Sequence, residues 1–80
     1  SSDLEHNFAG ARRNFERAIQ LDPNYVAAQL NLGVLCMQTR DVPCARAAFQ
    51  QFLKKAPPTQ YKDMISKVNY ALRTVLAPGE

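Results

Sequence analysis

The sequence predicts an all-α fold built from a repeated helix–turn–helix unit. Shifted against itself by 34 residues, the chain brings Phe8 to Val42, Ala11 to Ala45, Arg12 to Arg46, Phe15 to Phe49, Ile19 to Leu53 and Pro23 to Pro57. Self-similarity at such a period marks a helical solenoid. Apolar residues also recur at three- and four-residue steps along several stretches, the mark of helices with one buried face. Prolines fall where those stretches must stop.

The first expected helix spans residues 7–22, with Phe8, Ala11, Phe15, Ala18 and Ile19 as its stripe and Asn7 as its N-cap. Asp22-Pro23-Asn24 reads as a turn. The second helix runs from about Asn24 to Thr39 and carries Val26, Leu30, Leu32, Val34, Cys36 and Met37. A helix apolar on more than one face is flanked on two sides. Gly33 lowers helix propensity there, so a close helix crossing is expected at it. Asp41 should cap the third helix, with Pro43 tolerated in its first turn. Ala45, Ala48, Phe49, Phe52 and Leu53 form its apolar face, and Lys54 and Lys55 suit its carboxyl end. Residues 24–57 thus make one complete unit. Pro57-Pro58 end it, and a last helix follows over residues 59–76, with a stripe of Tyr61, Met64, Ile65, Val68, Ala71, Leu72, Val75 and Leu76. Asp63 and Lys67 are spaced for an i,i+4 ion pair.

Eighty residues make a single small domain. A hydrophobic share of 46% and a charged share of 21% suit a globular chain and not a disordered one. No apolar run reaches the ~18 residues of a membrane span. The net charge is +3, but Glu5, Glu16, Asp22, Asp41 and Asp63 interrupt the cations, so a nucleic-acid surface is disfavoured. One His and two Cys cannot complete a zinc site alone. His6 has no partner at ligand or catalytic spacing, and no glycine-rich loop is present. Neither an enzyme nor a bound cofactor is expected.

Cys36 and Cys44 flank the Thr39-Arg40-Asp41 turn. Bridging needs Cα atoms within ~7 Å, which sequence does not show. Two free thiols are expected, Cys36 in a core slot and Cys44 in a more peripheral one, and reduced thiols fit a cytoplasmic location.

Leu32-Gly33, Ala45, Phe49 and Pro57 together resemble the tetratricopeptide repeat, whose pattern is Leu-Gly, a tyrosine, then Ala, Phe and Pro. Residues 26–59 match it in length, with Gln29 where an aromatic usually stands and Cys36 where the tyrosine does. Residues 7–25 look like the second half of a preceding repeat. Lys67 stands where the next glycine would be, so the last helix is similar to the solvating helix that ends such arrays. The resemblance implies a protein-interaction module of scaffold, co-chaperone or assembly-factor type. It would take up a peptide or helix of a partner protein in a concave groove. Carried over position by position, the groove residues are Ala27, Leu30, Asn31, Val34, Met37 and Gln38. Leu30, Val34 and Met37 are equally placed to be core against a neighbouring helix. Two further readings stand beside the groove. One is self-association as a homodimer through the open face of the partial repeat. The other is a basic surface, around Arg12, Arg13 and Arg17, for an acidic or nucleic-acid partner.

Overall fold

The computed structural model describes residues 2–77, with side chains described from Asn7 onward. Its helices are α1 (Ser2–Leu21), α2 (Val26–Gln38), α3 (Val42–Lys55) and α4 (Lys62–Arg73). His6 and Pro78-Gly79-Glu80 lie outside the side chains described. Consecutive helices pack on one another in chain order. The α2–α3 hairpin is the tightest pairing, α1 lies against α2, and α4 rests more lightly on α3.

The first helix begins earlier than its cap signal implies. Asn7 is an interior helical residue, and Ser2 to Leu21 form one helix. A capping side chain favours a boundary but does not impose one, and the residues before Asn7 include neither Pro nor Gly to stop the helix. The α1–α2 turn forms as the Asp-Pro-Asn signal predicts. Asp22 Oδ1 accepts from the Asn24 amide at 3.1 Å, and the Asp22 carbonyl accepts from the Tyr25 amide at 3.0 Å.

Seven residues of α2 are buried: Val26, Ala28, Gln29, Leu32, Gly33, Leu35 and Cys36. They wrap more than one face because α1 and α3 flank the helix from different sides. Gly33 is the crossing point. A Cβ added there would meet the Phe49 ring, 2.9 Å from Cζ and nearer still to Cε1. Phe49 is 3% exposed, and with Phe52 and Ala45 it forms the centre of the core.

The α2–α3 turn is a Schellman motif. The Asp41 amide donates to the Cys36 carbonyl at 2.8 Å and the Arg40 amide to the Met37 carbonyl at 3.1 Å. Arg40 holds the left-handed position with φ of 62°, where a side chain costs about 1 kcal/mol relative to glycine. Asp41 then caps α3, its Oδ1 accepting from the Cys44 amide at 3.2 Å.

Here one expectation is corrected. Cys36 and Cys44 are not free thiols but a disulfide, with Cα atoms 5.8 Å apart. Cys36 sits in the last turn of α2 and Cys44 in the first turn of α3, so the tight turn brings both within bridging range. Cys36 is fully buried and Cys44 half-buried, as their slots imply. Disulfides persist where the surroundings are oxidising, so the pairing removes the thiol argument for a cytoplasmic location.

The ion pairs among the described residues both belong to Arg12. Its Nε meets Glu16 at 3.1 Å and its Nη1 meets Asp41 at 3.0 Å. Asp63 and Lys67 do not pair, both being exposed side chains with water as a competing partner. Long cations of α3 tie the turns on either side of it. Lys55 Nζ donates to the Pro23 carbonyl at 3.0 Å, and Arg46 Nε to the Leu76 carbonyl at 3.2 Å.

The last helix is shorter than its stripe. Turns at 58–61 and 74–76 bracket Lys62–Arg73. Tyr61 packs edge-on against Phe52 with centroids 5.5 Å apart. Val68 and Leu76 are buried, and Met64, Ile65, Ala71 and Leu72 pack against the core. Val75, expected in the stripe, is 70% exposed because the helix has ended before it.

Candidate protein-binding surface

The candidate groove residues all lie on α2, and the structure divides them among neighbouring clefts. Leu30, Val34 and Met37 line a cavity of about 240 Å³ between α2 and α4, floored by Phe49 and Val68 and walled opposite by Met64, Lys67 and Ala71. Asn31, Val34 and Gln38 line a second cleft, between α2 and α1, with Phe8, Ala11 and Phe15 across from them. Ala27 is half-buried and borders neither cleft.

Leu30 and Met37 serve both readings given to them. They are half-buried and pack against the core, yet they keep one side in the α2–α4 cleft. Val34 differs: it is 43% exposed in the middle of a helix that is otherwise largely sealed. It also borders both clefts. Exposed apolar surface at the meeting point of two hollows is a site that a partner's side chain can dry.

Sequence reasoning passed over Met64, Lys67 and Ala71 as groove residues. The signal was present in the 34-residue period, which maps Leu30 onto Met64 and Met37 onto Ala71. Both methionines of the chain, Met37 and Met64, thereby face one cleft. Unbranched thioether side chains adapt to differently shaped apolar guests.

The electrostatic anchor of the molecule lies at the α2–α3 turn. The Arg12 guanidinium, donating to Asp41, holds that carboxyl below the usual carboxylate range, and the Cys44 amide adds to the effect. The same carboxylate therefore caps α3 and ties α1 to the hairpin. The disulfide lies beside it, since Cys44 supplies the amide that Asp41 accepts.

Successive antiparallel helices, a glycine at the close α2–α3 crossing and a proline after each unit define a helical-repeat solenoid. In such folds, stacking of units supplies the core that no unit has alone. A scan against models of known families matches residues 4–68 to the tetratricopeptide repeat. The chain belongs to that family. Its repeats are non-catalytic units that in general mediate protein–protein interaction. Searches of curated proteins and of solved structures return no match. No helix among the described residues is long and apolar enough to cross a membrane.

Proposed function

We propose that this chain binds a peptide or helix of a partner protein on the face formed by Ala27, Leu30, Asn31, Val34, Met37 and Gln38. The observation that carries this is the exposure of Val34 between two apolar clefts. On its other sides α2 buries Val26, Ala28, Leu32, Leu35 and Cys36, so an uncovered valine at its centre marks surface kept free. Half-buried Leu30 and Met37 extend that surface along the helix at three- and four-residue steps, the spacing at which a helical or extended guest meets successive anchors. Among the described residues no carboxylate clamp of basic residues converges on Asn31, as none of those lining its cleft is a lysine or arginine.

Complete burial of one large apolar anchor contributes ~1.5–3 kcal/mol. Panning a displayed peptide library against the chain yields the ligand for the test. Val34→Glu combined with Met37→Glu is expected to weaken its binding ~100-fold, if anchors dominate as they usually do, while circular dichroism stays helical. Retained binding in that variant, together with salt-sensitive loss on replacing Arg12, Arg13 and Arg17, would move the site to the opposite face. Sedimentation of the free chain as a dimer that Val34→Glu dissolves would assign the same face to self-association.

A further inference from the structure

The cavities along the candidate face form one continuous surface. Val34 belongs to both the α1–α2 and the α2–α4 clefts. Met37 belongs to the α2–α4 cleft and to a hollow of about 340 Å³ that Arg40 and Val75 also line. Across these three cavities the charged residues among the described lining are Lys67 and Arg40, and no described carboxylate lines any of them. Both ion pairs among the described residues use Arg12, so neither Lys67 nor Arg40 is held in an ion pair with a described acid.

Arg40 carries a second argument. It occupies the left-handed position of the Schellman motif, where glycine is the unstrained choice. A cation is therefore kept at the rim of an apolar surface against the local backbone preference. Lys67 carries no such backbone cost, being in the interior of α4; it stands in the wall of the α2–α4 cleft. The α2–α4 cavity, at about 240 Å³, is of the size of one large aliphatic or aromatic side chain.

We propose that this surface selects a partner segment in which a large apolar side chain lies within a few residues of Asp or Glu side chains. The apolar group enters the α2–α4 cleft, and the carboxylates pair with Lys67 and Arg40. This inference rests on the groove reading above and adds the chemistry of the guest.

The test uses the whole chain and fluorescein-labelled 12-residue peptides with both termini blocked. Each peptide carries a central pair of leucines flanked by Glu, by Gln or by Lys. At low salt the Glu peptide should bind about fivefold tighter than the Gln peptide, and about 0.5 M salt should shrink that gap. Arg40→Gly with Lys67→Gln should erase the gap while Gln-peptide binding and the melting temperature hold or rise, since the glycine relieves the turn. Lys67→Glu with Arg40→Glu should make the Lys peptide the preferred one. An unchanged order of the peptides in both double variants overturns the acidic preference, as does a Glu peptide that fails to bind. Displacement of the Glu peptide by a 12-nucleotide oligo-dT would overturn it in favour of a nucleic-acid partner. Val34→Glu with Met37→Glu separates the two levels. If it leaves every peptide bound, the groove reading itself fails. If it abolishes all binding while the charge variants change no order, only the acidic preference fails.

Discussion

The helices α2 and α4 occupy the same slot of the 34-residue period and end in opposite environments. Leu30 maps onto Met64, Val34 onto Val68 and Met37 onto Ala71, so the side facing the α2–α4 cleft keeps its apolar character. The other side does not. Ala28, Gln29, Leu32 and Leu35 become Lys62, Asp63, Ser66 and Asn69, and the buried Cys36 becomes Tyr70, which is 63% exposed; Lys67, in the slot of Gly33, stands at the edge of the cleft. Seven residues of α2 are buried, against Val68 alone in α4. The lesson concerns neighbours. A helix with partners on two sides needs small and apolar residues on two sides, whereas a helix with one partner keeps one stripe and solvates the rest.

Substitutions at the paired positions Gly33 and Lys67 test that contrast most sharply. Gly33→Leu should lower stability by ~3 kcal/mol or more, at or beyond the upper end of ordinary overpacking. The Phe49 ring already fills the space where even a Cβ would go. Helix propensity alone favours leucine by ~0.8 kcal/mol, so a measured loss in thermal or urea unfolding reports the crossing itself. An unchanged melting temperature would remove Gly33 from the crossing.

Next in size is the Cys36–Cys44 bridge, which belongs to the α2–α3 hairpin and has no counterpart in α4. Closing so short a loop stabilises by ~2–3 kcal/mol on the chain-entropy account. For a domain of this size, reduction should then lower the melting temperature by about 10 °C or more. Alkylation without reductant should leave both cysteines unlabelled in the native protein. Full labelling of both would restore the free thiols.

Smaller again is the capping carboxylate. Asp41→Ala should cost ~1 kcal/mol through the lost cap on α3, with a further loosening of α1 as Arg12 loses a partner. The native carboxyl titrates below its unfolded value of about 4. Its contribution is therefore complete above that pH and is lost as pH falls through the lower folded value. An acid-unfolding midpoint that does not move in Asp41→Asn would contradict this.

Much of the fold is written locally. Prolines, the Asp41 cap and the six matched pairs at 34 residues set the turns and the repeat, because each acts through its own backbone neighbourhood. Asn7 misled for the same reason: a cap preference is local, and the helix simply continues through it. The disulfide could not be read, since bridging depends on the three-dimensional approach of two Cα atoms. The α2 half of the binding face was legible from helical spacing. Its α4 positions were present in the 34-residue period, but that they share one cleft with Met37, and that Lys67 joins them, depends on the packing of α4 against α3.

The smallest effect on stability is expected at Lys67. Lys67→Leu should change it by no more than ~0.5 kcal/mol, as for most exposed positions. A large change would mean that α4, like α2, carries a partner on its second side.

The central claim is that a partner occupies the α2–α4 face. Amide chemical-shift mapping on the isotope-labelled chain with a library-selected peptide tests it most directly. The account predicts perturbations and slowed exchange concentrated at Leu30, Val34, Met37, Met64 and Lys67, with Arg13, Arg17, Gln50 and Gln51 unmoved. Perturbations confined to Arg13, Arg17 and the outer side of α3, with Val34 and Met64 silent, would contradict it.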